Sequence, residues 1–229
     1  MFVMLLATLL YTQSPVSPTG HWEGLVKIPD SQIGVVIDLA KDGSGQLVGE
    51  FAQPDENLKG LPLGNFSVEG DSLRFQIKGR AGERVFAGTI SPDGKTFSGE
   101  FTQNGYQMPF TLTRTGEARF EAASKIGPIE KALEGSWRAT LNTRGTDVHL
   151  TLTMANQPDG SATASIVNEA DGLELPVTAI TQEAANLTLE IKAIGGSYTA
   201  TINSARTELV GTFTEHGKTA PLTFQRASK

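Results

Sequence analysis

The sequence predicts an all-β protein: two tandem, small, antiparallel up-and-down barrels of about eight strands each, joined by a short, partly helical linker. Three observations predict it. Apolar and polar residues alternate with a period of two, turn-forming dipeptides punctuate the chain, and the whole pattern occurs twice. Twenty-five Gly in 229 residues, against a usual ~7%, agree with many turns and few long helices.

In chain order, the first feature is an apolar run over residues 2–11, too short for a bilayer span of about 20 residues. Its length suits the apolar region of a secretory signal, although no Lys or Arg precedes it and no Ala-x-Ala follows. Pro15 and Pro18 cut it off from Trp22, which argues against a buried first strand. Residues 1–19 are therefore expected to be a signal peptide and short leader. The mature chain is expected to be exported, periplasmic or extracellular, with no membrane span.

The repeat follows. Gly20-His21-Trp22 recurs as Gly135-Ser136-Trp137, and Ile33-x-Val35-x-Ile37-x-Leu39 as Val148-x-Leu150-x-Leu152-x-Met154. Leu61-Pro62-Leu63 recurs as Leu175-Pro176-Val177, and Pro109-Phe110-x-Leu112-x-Arg114 as Pro221-Leu222-x-Phe224-x-Arg226. The order is kept and the offset drifts only by loop-sized steps, so the chain reads as a duplication with units at 20–114 and 135–229. Between them, 115–134 is the linker, and Pro128 ahead of Ile129-Glu130-Lys131-Ala132-Leu133 predicts one or two helical turns there.

Within the first unit the alternation predicts strands near 22–28, 33–40, 46–52, 63–68, 73–78, 85–90, 96–101 and 108–114. Asp42-Gly43, Gly70-Asp71, Asp93-Gly94 and Asn104-Gly105 supply tight turns, and such short connections force antiparallel neighbours. A meander of eight strands either closes or exposes two edges; closure removes them. The strand glycines Gly24, Gly49, Gly88 and Gly99 suit the bends of a small closed sheet, with a two-sheet sandwich as the alternative.

Trp22 opens the first strand and Arg114 ends the last; Trp137 and Arg226 repeat the pair. In a closed barrel these strands are neighbours, so the guanidinium can lie across the indole, a contact worth about 0.5–2 kcal/mol. The Gly-x-Trp and terminal Arg pattern resembles the lipocalin (calycin) signature, which implies that each pair closes one barrel end. The repeat is also similar to the β-domain ahead of the catalytic domain in secreted bacterial α/β-hydrolases, and to hydrolase-less proteins of uncharacterised function. The matching residues are Gly20-x-Trp22-x-Gly24, Gly60-Leu61-Pro62-Leu63, Gly99-x-Phe101-Thr102-Gln103-x-Gly105 and their second-copy equivalents through Gly217. That resemblance covers almost all of the mature chain and supplies no catalytic residues, because in those enzymes the chemistry lies in the hydrolase part.

Composition narrows the function classes. Nineteen basic against twenty-five acidic side chains leave −6 and no basic stripe, so no nucleic-acid partner is expected. Zero Cys removes disulfides and thiolate chemistry. His21, His149 and His216 face Ser136, Gly34 and Asn104 in the other copy and lack metal spacing, so neither metal nor cofactor is expected. His21 reads as an ordinary polar residue at the rim. No nucleophile elbow or phosphate loop occurs, and Asp42-Gly43-Ser44-Gly45 has too few oxygens for calcium. Asp38, Glu50, Glu100 and Glu190 fall on outward phases as solvated carboxylates, with no spacing that pairs any two. The chain reads as a non-enzyme.

Binding is the leading expectation. The first interior reads as filled by Phe75, Phe86, Phe97, Phe101, Met108 and Phe110. The second has fewer aromatics, so a cavity is expected there, lined by Ala139, Leu189, Tyr198, Phe213, Ala220 and Phe224, with the Tyr198 hydroxyl seeking a partner. The long acidic loops 54–60 and 168–172 read as soluble surface. The expected function is that of an exported binding protein for a small apolar molecule or a secreted protein partner. The alternative is an accessory module that positions a secreted hydrolase.

Overall fold

A computed structural model describes residues 16–79, 83–119, 126–143 and 145–227. The apolar run at 2–11 lies outside the described residues. The first repeat is a closed antiparallel barrel of eight strands in sequence order: β1 (Gly20–Ile28), β2 (Ser31–Lys41), β3 (Leu47–Gln53), β4 (Leu58–Glu69), β5 (Ser72–Ile77), β6 (Val85–Ile90), β7 (Thr96–Gln103) and β8 (Tyr106–Gly116). The turns behave as their chemistry dictates. Asp42 Oδ1 accepts from the Ser44 amide and hydroxyl and from the Gln46 amide, which spends this carboxylate on its own turn.

Period-two alternation places Trp22, Ile37, Leu39, Phe75, Phe86, Phe97 and Leu112 inside with no exposure. The Phe side chains form one continuous cluster, with Phe75 and Phe86 centroids 5.3 Å apart, Phe86 and Phe101 4.4 Å, and Phe97 and Phe110 4.8 Å. Two strand glycines are required by cross-strand approach. A Cβ on Gly24 would come within 2.1 Å of the Thr111 carbonyl across the β1–β8 seam, and one on Gly99 within 2.1 Å of the Ala87 carbonyl. The seam runs over six residue pairs, from His21 opposite Gly116 to Val26 opposite Phe110.

The second repeat departs from the expected second closed barrel. It is a nine-stranded curled sheet, built from β9 (Gly135–Thr143), β10 (Thr146–Asn156), β11 (Ala162–Asn168), β12 (Glu174–Pro176), β13 (Ala179–Glu183), β14 (Asn186–Ile191), β15 (Gly196–Ile202), β16 (Glu208–Glu215) and β17 (Lys218–Arg226). Its order, β12-β11-β10-β9-β17-β16-β15-β14-β13, leaves β12 and β13 as edges. They are consecutive in the chain and stand where β4 stands in the first repeat. The residues between them still hold both flanks: the Val177 amide donates to Ala164 O at 2.9 Å and the Thr178 amide to Glu190 O at 2.7 Å. Opposite this break, the β17–β9 ladder is confined to Gln225 with Arg138 and Arg226 with Trp137.

The expected helical linker is not shown. Among the described residues the linker holds a single 3-10 turn, Lys131–Leu133, and no α-helix. An isolated turn of helix is unfavourable without tertiary support, and the segment's apolar residues serve the second core instead, with Ile129 and Leu133 both buried in it. Ile126 forms a β-bridge with Ala162, and Glu130 accepts from Gln182 of β13 and from Arg206, so 126–130 reaches both flanks of the break.

Candidate functional site

Each repeat carries the same Trp–Arg stack at one end. Arg114 lies 4.6 Å over the Trp22 ring and Arg226 4.3 Å over Trp137. The indole N–H of Trp22 donates to Pro18 O and that of Trp137 to Leu133 O, each at 3.0 Å and four residues back. Arg114 donates to Ser17 O and Arg226 to Ala132 O, so a short segment ahead of each repeat is tied beneath it. Burial lowers the Arg114 pKa from its usual value, against an opposing pull from Glu117. The paired carbonyl segments had no sequence signal beyond their constant distance ahead of each Trp.

The opposite ends, the mouths, differ. In the second repeat, β9 and β17 splay apart beyond their two-residue ladder and open a cleft of about 530 Å³. Leu141, Phe213 and Ala220 supply its apolar wall, and Asn142, Glu215, His216 and Lys218 its polar groups. Asp55–Asn57, from the long loop of the first repeat, line it from the other side. Of the six sequence-derived lining candidates, the structure brings Phe213 and Ala220 to this cleft. Leu189, Tyr198 and Phe224 are fully buried in the second core, and Ala139 is nearly so.

Tyr198 needs no ligand to satisfy its hydroxyl. The phenol oxygen lies 2.7 Å from Leu209 O and 3.0 Å from Leu222 O, two carbonyls that can share its one proton. Burial raises its pKa from the ordinary phenol value, because the phenolate would lose water without gaining a cation.

At the mouth of the closed barrel a smaller cavity of about 200 Å³ remains, walled by Val35, Phe51, Phe86 and Phe101 among others. Its polar lining includes Gln53, Gln103 and the buried Arg84, and the second repeat covers it through Asp171 and Leu173. Arg84 Nη2 meets Asp171 Oδ2 at 2.9 Å while Nη1 donates to Asp171 O at 3.0 Å. Gly79 bridges to Leu173, and Ala193 is buried within the first repeat's core cluster. The loops at 54–60 and 168–172, read from sequence as plain soluble surface, therefore each line the mouth of the other repeat. The contacts that decide this are 87 residues apart in the chain, beyond any local pattern.

His21 and Asp38 are corrected too. The sequence reads His21 as an ordinary polar residue at the rim and Asp38 as a solvated carboxylate; both are buried. They are cross-strand neighbours on the outer face of β1 and β2, with His21 Nδ1 2.7 Å from Asp38 Oδ1 and Nε2 2.9 Å from Glu23 Oε1. The chain leaving β8 covers them, and the Arg119 amide donates to Asp38 Oδ1 at 2.7 Å. The pair anchors the linker, and no hydroxyl or thiol nucleophile is hydrogen-bonded to the imidazole among the described residues.

No family model and no curated protein matches the chain. Among solved structures it is similar to a protein from Bacteroides fragilis NCTC 9343 with a provisional outer-membrane designation, at 10% identity and a TM-score of 0.28, over 91% of this chain and 97% of that one. It is also similar to a protein of unknown function from the DUF3598 family of Nostoc punctiforme PCC 73102, at 15% identity and a TM-score of 0.23, over 91% and 96% of the two chains. At that level of superposition neither carries an argument about this chain's function. No helix among the described residues is long and apolar enough to cross a membrane.

Proposed function

We propose that this chain is an exported, non-catalytic binding protein of two lipocalin-like repeats, whose small, mainly apolar ligand sits in the splayed seam of the second. The observation that carries the reading is the opening between β9 and β17, whose volume of about 530 Å³ lies within the usual range for small-molecule sites. Three of its lining residues, Leu141, Phe213 and Ala220, offer an apolar wall, and the remaining nine are polar or charged. Ala220 stands where the first repeat has the bulkier Met108, and Phe213 offers an aromatic wall. The unladdered edges of β9 and β17 add backbone groups for a polar substituent. The matched Trp–Arg stacks support the lipocalin-like reading, and the apolar run at 2–11 supports export.

Native mass spectrometry of the mature chain purified from its own host tests this. A reproducible added mass is expected, lost on denaturation and lost in Ala220→Phe, which fills the cleft. A bare polypeptide mass would remove the reading and favour the accessory module that positions a secreted hydrolase.

A further inference from the structure

The mouth of the closed barrel carries a second, separate inference. Its cavity is apolar on most sides, and the charge it holds is a guanidinium: the Arg84 side chain is 8% exposed. A buried cation needs an anion, because solvation lost on burial must be replaced. Here the anion is Asp171, delivered by a loop of the other repeat, and its side chain is 39% exposed. The two partners are thus unequal. Arg84 is buried, whereas Asp171 is part-exposed. Turning Asp171 outward gives up the ion pair and the bond that its Oδ1 accepts from the Leu173 amide at 3.1 Å.

We propose that the first barrel's mouth is a binding site for a short amphipathic carboxylate, with Asp171 as the built-in occupant that such a ligand displaces. The carboxylate would take the Arg84 fork in the bidentate geometry that guanidinium favours. The apolar chain would enter the space among Val35, Phe51, Phe86 and Phe101. About 200 Å³ holds about seven groups of water size at about 30 Å³ each, one fewer than the six carbons and two oxygens of hexanoate, whose head group would lie at the Arg84 rim. Loop 168–173 is then a cover whose hold is partly that one ion pair. It is also held by the Gly79–Leu173 bridge and by the Gly172 amide donating to Asn168 O at 2.7 Å. In the second repeat Gly196 stands where Arg84 does, so the duplicated mouth has no equivalent head group.

Hexanoate is the probe, titrated calorimetrically into the full chain, with hexanol as the uncharged control. Asp171→Asn removes the internal competitor and is expected to bind hexanoate about tenfold more tightly than the unsubstituted chain. Adding Arg84→Met is expected to abolish that binding, and hexanol is expected to show no gain in Asp171→Asn. Equal hexanoate affinity with and without Arg84, or equal binding of hexanol and hexanoate, would overturn the proposal. Should Asp171→Asn fail to fold, amide exchange on the unsubstituted chain decides. Hexanoate must speed exchange at Ala170, Gly172 and Leu173; unchanged or slower exchange there sinks the idea. Ala220→Phe is expected to leave the hexanoate response intact, so this site and the seam of the second repeat succeed or fail separately.

Discussion

Strand β4 of the first repeat runs twelve residues without a break, while its counterpart in the second is split into β12 and β13. The sequences at the divergence are Leu61-Pro62-Leu63-Gly64-Asn65-Phe66 and Leu175-Pro176-Val177-Thr178-Ala179-Ile180. In the first, the register with β5 shifts between Gly64 and Ser67, and Asn65 absorbs the shift at φ +53°. Asn tolerates the left-handed region, and its side chain donates to Gln76 Oε1 at 3.0 Å. The second repeat has Thr178 and Ala179 at those places, without Gly or Asn to host the bulge, and the strand stops instead. A second difference lies at the seam, six pairs long in the first repeat and two in the second. Closure thus rests on a few residues that let one strand bend, while the alternation that makes the strands is common to both.

The largest effect that separates the repeats is expected from the closing stacks. Trp22→Ala and Trp137→Ala each delete a fully buried indole, a loss of about 3–5 kcal/mol. The first barrel keeps four seam pairs beyond Trp22, from Glu23 to Val26, whereas Trp137 belongs to one of only two pairs in its own seam. Trp137→Ala is therefore expected at the upper end of that range and Trp22→Ala at the lower, by urea denaturation. Exchange protection should vanish at the β9 amides and persist at those of β1. A costlier Trp22→Ala would reverse the comparison.

The loops give the next contrast. Asp171→Ala strands the buried Arg84 cation and is expected to cost about 1–3 kcal/mol in thermal or urea unfolding. Asp55→Ala, in the corresponding loop of the first repeat, removes an exposed side chain and should fall within about 0.5 kcal/mol of the parent. Adding Arg84→Met to Asp171→Ala is expected to restore most of the loss. Equal effects of Asp55→Ala and Asp171→Ala would mean that the two mouths are covered alike.

These contrasts also mark what the sequence makes legible. Seven strands of the first repeat fall within two residues of their expected places and β4 begins five residues earlier than expected; alternation and turns such as Asn104-Gly105 are local signals. The Trp22–Arg114 and Trp137–Arg226 pairs were legible because the duplication prints them twice. The split of β4's counterpart was not, since it depends on the backbone angle of Asn65. Nor was the burial of His21 and Asp38, whose cover arrives from residue 119, or the ion pair of Arg84 with Asp171. Of the residues expected to line a second interior, Phe213 and Ala220 lie at the cleft of the seam, while Leu189, Tyr198 and Phe224 pack as core.

Transplanting the bulge tests the cause of the open sheet directly. Thr178→Gly with Ala179→Asn places Gly64-Asn65 chemistry in the second repeat. It is expected to join β12 to β13 and stabilise the chain by about 0.5–2 kcal/mol. Slower amide exchange between residues 176 and 181 is the readout; unchanged exchange would place the cause of the break elsewhere.

The smallest expected effect lies at the turn that follows. Gly70, at φ +63°, turns β4 into β5, and Ala184, at φ +52°, makes the same turn between β13 and β14. A Cβ in the left-handed region costs about 1–2 kcal/mol, which Gly escapes while losing more backbone freedom on folding. Ala184→Gly is therefore expected to stabilise the chain by about 0.5–1 kcal/mol, and Gly70→Ala to destabilise it by a similar amount, both read from urea midpoints at constant m-value. The two substitutions exchange one atom group between equivalent turns. If they fail to mirror each other in sign, the second repeat's turn is held by its open edge rather than by its own backbone, and the equivalence of the repeats ends at β12.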